Sequence, residues 1–252
     1  PVIKTANLFY QNGFKIYIFS GRSEITKEAT TQWLKKHDIP YDLLQMREKM
    51  VHRGPDNAGI YFQIKDRIGL GHRRLSIIDL SDLGRQPMQS SSGETVIAYN
   101  GEVYNYHEIK KELIKNGIKF RSNTDTEVVL EAIEYWGVEA INKFNGMFAI
   151  AIWDKYKKEL MLIRDRMGIK PLYFTRRDEK IIFSSEAKAI LEYCPELREI
   201  DLESVYKYIS RNWIDTDQNT FFKGIKHLSP GNYANVRKGE CFISQYWSLK
   251  IN

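Results

Sequence analysis

The spacing of apolar residues changes character near Arg47-Glu48-Lys49-Met50, which marks a domain boundary. Before it, Val2 to Asn12 predicts a helix with Ile3, Ala6, Leu8, Phe9 and Tyr10 as its apolar set, ended by Gly13. Phe14 to Phe19 predicts a strand, Ser20-Gly21-Arg22-Ser23 a polar turn, and Glu24 to His37 a helix with Trp33 and Leu34 inward. Ile39 to Met46 predicts a short strand. Helix, strand, turn, helix and strand in that order form an α/β crossover pattern.

From residue 51 onward strands are frequent and close together. Ala58 to Gln63, Ile68 to Gly71, Leu75 to Leu80 and Thr95 to Tyr99 are β candidates, the last after a Ser90-Ser91-Ser92-Gly93 loop. Helices are predicted over 106–116 and 125–136. Met147 to Trp153 and Glu159 to Ile163 flank the polar turn Asp154 to Lys158, a hairpin signal. Leu172 to Thr175 and Lys180 to Ser184 form a second hairpin, followed by helices at Ser185 to Tyr193 and Leu202 to Ser210. Antiparallel sheets with helices on their faces make residues 51–252 an α+β domain, and residues 1–50 a partial α/β segment.

One stretch concentrates candidate chemistry: Tyr99-Asn100-Gly101-Glu102-Val103-Tyr104-Asn105, after the apolar run Thr95 to Ala98. Asn100 offers an amide donor, Gly101 a backbone N–H that can be closely approached, and Glu102 an acceptor. Donors converging at a strand end can stabilise a developing oxyanion; Asn-Gly in such a place also serves as a plain turn. Asp125 follows Ser122-Asn123-Thr124 at a predicted helix start, where the helix dipole alone favours a carboxylate.

Composition narrows the classes. The 252 residues are 42% hydrophobic and 13% aromatic, enough for a packed core. The net charge of +6 is spread out, without the dense Lys/Arg block of a nucleic-acid arm, so nucleic acid is not an expected partner. Cys194 and Cys241 are far apart without metal-ligand spacing, which suits a reduced cytoplasmic protein. No apolar run reaches membrane-spanning length, and no membrane partner is expected. Starting at Pro1 and stopping at Lys250-Ile251-Asn252, the sequence reads as cut at both ends.

From His52 onward the motifs resemble the glutaminase domain of glutamine-hydrolysing asparagine synthetases, class II glutamine amidotransferases of the N-terminal-nucleophile fold. The matching stretches are His52 to Asp56, His72 to Asp79, Gln86-Pro87-Met88, Tyr99 to Asn105, Ser122 to Glu127, Gly146 to Ala149, Arg164 to Tyr173 and Ser184 to Ala189. The resemblance implies an αββα sandwich of antiparallel sheets and L-glutamine as ligand. It assigns Arg74 to the glutamine α-carboxylate, which suits a guanidinium fork, and Asp125 to the α-ammonium. It makes Asn100 and Gly101 the oxyanion hole and Glu102 the holder of the glutamine amide or ammonium end. Ile77 and Ile78 would line the pocket, and they read equally well as strand core. Arg73 reads as a surface residue, and His52 and Arg53 as structural.

The same family uses an N-terminal cysteine whose free α-amine acts as its base. That strand is not in this sequence, Pro1 has no nucleophile, and Cys194 and Cys241 lie mid-chain. The expectation is a chain that binds glutamine without hydrolysing it. No Ser-Gly-Gly-Leu-Asp-Ser loop is present either, so no cofactor is expected here; ATP and Mg would belong to a synthetase domain, which, with a homodimer, is the partner the resemblance implies. Residues 1–47, through Ile16 to Arg22, Thr26 to Trp33 and Tyr41 to Arg47, are similar to a fragment of a haloacid-dehalogenase-type (HAD-like) phosphatase, nearest to polynucleotide kinase 3′-phosphatases. Ser20 and Arg22 would then contact phosphate. The readings in play are thus a glutaminase domain for asparagine biosynthesis, a non-catalytic glutamine-binding domain, and a 3′-phosphatase remnant.

Overall fold

The computed structural model describes residues 41–75, 81–214 and 216–249. The chain divides into two compact units, Pro1–Tyr41 and Asp42–Asn252. Residues 42–50 therefore belong to the second unit, whose architecture is the one described. The predicted elements of residues 1–40 lie outside the described residues.

Helix α1 (Tyr41–Glu48) replaces the strand predicted over Ile39 to Met46, across the part of it that is described. A short apolar run does not by itself distinguish helix from strand. Leu43 and Arg47, one helical turn apart, both lie on the bare backbone of Gly71, with Leu43 also on Gly69. Leu44 is buried. Tertiary packing on two glycines decides the helical spacing here.

The hairpin of β1 (Asn57–Gln63) and β2 (Ile68–Arg74) follows as a two-stranded sheet. Next come β3 (Met88–Gln89), β4 (Thr95–Val103), α2 (Tyr106–Lys115), α3 (Asp125–Trp136) and α4 (Ala140–Lys143). The antiparallel pair β5 (Gly146–Asp154) and β6 (Glu159–Arg164) precedes β7 (Tyr173–Arg177) and β8 (Lys180–Ser184). Then come α5 (Ala187–Tyr193), α6 (Leu202–Arg211), β9 (Lys226–His227), β10 (Asn232–Arg237) and β11 (Glu240–Gln245). Six strands form one sheet in the order β11-β10-β6-β5-β4-β3, and β8-β7-β9 form another. Leu75 lies outside any strand, and the rest of the strand predicted to Leu80 is outside the described residues.

Period-two alternation sorts the six-stranded sheet between two cores. Ile97, Tyr99, Val103, Phe148, Ile150 and Ile152 face α2, α3 and α4, with Ile109, Leu113, Val129 and Ile133. Val96, Ala149, Ala151 and Trp153 face the other way, onto Leu70 of the hairpin and Phe174 of β7. A third cluster places Ile182 of β8 against Ile190 and Leu191 of α5, with Met46 of α1 on its edge. The layers run helices, sheet, smaller sheets, helices.

Strand β4 runs four residues beyond the predicted end at Tyr99, so Asn100-Gly101-Glu102 is not a turn but part of a strand. Asn and Gly are poor strand formers, and the neighbouring strand overrides them. Gly101 pairs with Phe148 of β5. A Cβ on Gly101 would stand 2.3 Å from the Met147 carbonyl oxygen and 2.7 Å from Phe148 Cα. The two backbones approach too closely there for any side chain. Buried Asp165 braces β5 at this point: its carboxylate accepts from the Phe148 N–H at 3.1 Å and from the N–H groups of Met167, Ile169 and Lys170 at 3.1, 3.0 and 2.9 Å. That accounts for the Arg164-to-Lys170 motif as a loop clamp.

Candidate functional site

The site is built along the outer edge of β4. Strand β3 pairs only with Val96 and Ile97. Past that point the edge is met by side chains. The Tyr99 N–H donates to Gln86 Oε1 at 2.6 Å, and the Val103 N–H donates to Asp125 Oδ2 at 3.1 Å. Backbone N–H groups alternate in direction along a strand, so the Gly101 N–H points to this same edge, between Gln86 and Asp125. Asn100 and Glu102, two residues apart, share the opposite parity and are half-buried.

Asp125 is the first residue of α3 and is 5% exposed. The helix cap is Thr124, whose side chain accepts from the Glu127 N–H at 3.2 Å. Glu127 in turn accepts from the Ser122 N–H at 2.6 Å and the Arg121 N–H at 2.9 Å, which locks the loop before the helix. This cap leaves Asp125 turned onto β4, where Oδ2 also accepts the Tyr99 hydroxyl at 2.7 Å. Burial, with Glu102 adding to it, raises the Asp125 carboxyl above its ordinary range against the pull of the Tyr99, Val103 and Thr126 donors. A buried carboxylate in that condition gains from an arriving cation.

Arg74 ends β2, is 9% exposed and donates to the Ser81 carbonyl at 3.3 Å. Its guanidinium lies flat against Gly84, where a Cβ would stand 2.2 Å from Nη2. Arg74 is linked to β4 through its strand neighbour His72, whose Nε2 donates to the Tyr99 carbonyl at 2.9 Å. Burial first, and the Arg74 charge after it, lower the His72 pKa to about 4, so the ring is neutral at physiological pH. With Nε2 carrying the proton, buried Nδ1 is an acceptor with no partner among the described residues.

The structure therefore places Asn100, Gly101 and Glu102 consecutively on β4, sets Asp125 against that strand through Tyr99 and Val103 and within electrostatic reach of Glu102, and links Arg74 to it only through His72 and Tyr99. Ile77 and Ile78 lie outside the described residues. Gln86, His72 and Tyr99 belong to the motifs, yet nothing local in the sequence signals their roles, which depend on strand register. Neither cysteine belongs to this edge. Cys194 packs in the cluster around α5 and Cys241 lies on β11, and burial pushes both thiols up.

A separate cluster lies at the loop after α1. Glu186 Oε1 accepts from His52 Nε2 and Arg53 Nη1, both at 2.8 Å, and Oε2 pairs with Lys188 at 2.8 Å. Burial opposes ionisation, but the hydrogen bonds from Lys188, Arg53 and His52 outweigh it and bring Glu186 down to about 2. A folded pKa below the unfolded one stabilises above the unfolded value and loses that stability as pH falls. Glu186→Gln is expected to cost about 1 kcal/mol at pH 7, because the partners are solvent-exposed and screened. The difference from wild type should vanish between pH 4.5 and about 2, as read by denaturant unfolding across that range. A difference independent of pH would contradict the assignment.

A family profile described as "Glutamine amidotransferase domain" matches residues 29–247. The chain belongs to that family. The amidotransferase domain is 38% identical over 208 residues to asparagine synthetase [glutamine-hydrolyzing] 1 of Bacillus subtilis (strain 168), covering 82% of this chain and 32% of that protein. It is 34% identical over 230 residues to the amidase chry2 of Gibberella zeae, covering 91% of this chain and 32% of that protein. To putative asparagine synthetase [glutamine-hydrolyzing] 2 of Methanocaldococcus jannaschii it is 34% identical, covering 85% and 45%. The chain thus spans a third to under half of these relatives. Among solved structures, glutamine phosphoribosylpyrophosphate amidotransferase from B. subtilis superimposes with a TM-score of 0.59 at 18% identity, over 84% of this chain and 46% of that one. That likeness speaks for the fold. The matched region opens at residue 29, inside the segment read as phosphatase-like, and the phosphatase reading of residues 1–50 gains no support from these relatives. Among the described residues no helix is long and apolar enough to cross a membrane, and no cluster of metal-ligating side chains occurs.

Proposed function

We propose that the β4 edge binds L-glutamine and presents its carboxamide for cleavage, supplying ammonia to an asparagine-forming synthetase. The observation that carries this reading is the buried Asp125 carboxylate, bonded to Tyr99 and Val103 on either side of Gly101, along the part of the β4 edge that β3 leaves uncovered. Arg74 takes the α-carboxylate and Asp125 the α-ammonium. The Asn100 amide and the Gly101 N–H receive the carboxamide oxygen, and Glu102 accepts from its nitrogen. Attack on the amide carbon shifts charge onto that oxygen, where two fixed donors lower the barrier.

The attacking group is neither Cys194 nor Cys241, since burial holds both thiols in the protonated form and neither lies on this edge. That observation favours a second reading for this chain taken alone: glutamine binding without turnover by Cys194 or Cys241. In the larger synthetase relatives, the acceptor would be a synthetase domain, with ATP and Mg on that side; a homodimer is the other assembly in view.

Thermal unfolding with and without L-glutamine tests the reading. A ligand at about 100 times its Kd stabilises by about 2.7 kcal/mol, which in a unit of this size raises Tm by about 5–10 °C. An unchanged Tm at high millimolar glutamine would overturn it.

A further inference from the structure

Tyr99 is bonded to Gln86, His72 and Asp125 around the site, yet none of the ligand's groups is assigned to it. It is 3% exposed and held at three polar points. Its N–H donates to Gln86 at 2.6 Å, its carbonyl accepts from His72 at 2.9 Å, and its hydroxyl donates to Asp125 at 2.7 Å. The backbone bonds fix the peptide that leads into Asn100 and Gly101. The hydroxyl fixes the carboxylate on the neighbouring helix. One residue, through its backbone and its hydroxyl, thereby ties the candidate ammonium site to the candidate oxyanion edge.

A buried tyrosine hydroxyl needs a partner, and a backbone carbonyl would satisfy that need. Here the partner is a carboxylate whose own burial is unfavourable. The hydroxyl-to-carboxylate bond is charge-assisted and favours the ionised form. Burial and the Asp125 charge hold the phenol protonated, so it remains a donor across the physiological range. The titratable groups facing Asp125 are Tyr99 and Glu102, both on β4; Glu102 acts against ionisation and Tyr99 for it.

Resting on the glutamine reading, we propose that Tyr99 is a positioning residue that sets specificity for ligands bearing an α-ammonium, by holding the Asp125 carboxylate in place beside the Asn100–Gly101 edge. A role confined to core packing would affect all ligands alike. The specificity role affects only those with a positive charge opposite Asp125.

The experiment compares L-glutamine with glutaramate, which keeps the carboxylate and carboxamide and lacks the α-amine, by calorimetric titration of wild type and Tyr99→Phe. Wild type should prefer glutamine. Y99F should reduce that preference about tenfold while glutaramate affinity holds, the scale of one charge-assisted hydrogen bond. The acid limb of glutamine binding should also move to higher pH, because the carboxylate has lost a donor that favours its charge. Tyr99→Leu serves as a second variant should Y99F fold poorly, with the same loss of preference expected. Wild type binding neither ligand would bring down the glutamine reading, and this proposal with it. Wild type binding glutamine, with the preference intact in the variants or with both ligands weakened equally, would overturn the proposal alone.

Discussion

Asp125→Asn is expected to weaken L-glutamine binding by about a hundredfold or more while leaving the fold in place. Removing one member of a buried, hydrogen-bonded charge pair costs about 2–5 kcal/mol. Asparagine keeps an oxygen that can still accept from the Tyr99 hydroxyl and the Val103 N–H, so the junction of α3 with β4 persists. What is lost is the charge opposite the ligand ammonium. The effect on the empty protein has the opposite sign. Because the folded carboxyl is raised above its ordinary range, its ionised form is disfavoured in the fold, and the cost grows as pH rises through the raised value. At neutral pH the variant should therefore unfold no lower than wild type without ligand. Added glutamine, which stabilises wild type, should leave it nearly unmoved. Melting curves at pH 7 with and without glutamine read both parts. A variant that melts well below wild type yet keeps its glutamine shift would make Asp125 a structural tie between α3 and β4 and nothing more.

Gly101→Ala carries the second large effect. The added methyl meets the Met147 carbonyl oxygen at 2.3 Å and Phe148 Cα at 2.7 Å. Both are backbone atoms of β5, braced by Asp165, and no rotamer change removes them. Relief requires β4 and β5 to separate where nine consecutive residues of β4 are paired. Overpacking of this kind costs about 2–3 kcal/mol, a fall in Tm of about 5–10 °C for a unit of this length. Glutamine binding should fall as well, since the Gly101 N–H moves with its strand. A Tm within about 2 °C of wild type, a margin on the order of half a kcal/mol, would show that the strands have slack. The glycine would then be there for the ligand alone.

How far the sequence reveals this arrangement depends on the distance over which each structural decision is made. Helix α3 is legible because its apolar repeat and the Ser122-Asn123-Thr124 lead-in are local. The β5–β6 hairpin is legible for the same reason, through alternation around Asp154 to Lys158. The continuation of β4 through Asn100 and Gly101 is not, since its cause is a strand more than forty residues later that excludes any side chain at Gly101. Helix α1 reads as a strand because Gly69 and Gly71, which receive Leu43, lie beyond the window in which spacing is read. At the site, the family resemblance names Arg74, Asn100, Gly101, Glu102 and Asp125, and the residues alone could not have grouped them. The parts played by Gln86, His72 and Tyr99 emerge only when register shows which N–H groups of β4 turn outward.

If the outer edge of β4 receives glutamine, each polar group of the ligand has a named residue to meet it. A crystal structure of the protein soaked with L-glutamine tests this most directly. The α-carboxylate is expected on Arg74, the α-ammonium on Asp125, and the carboxamide oxygen between the Asn100 amide and the Gly101 N–H. Glutamine bound elsewhere, or bound with its amino and carboxamide ends exchanged, would contradict that assignment.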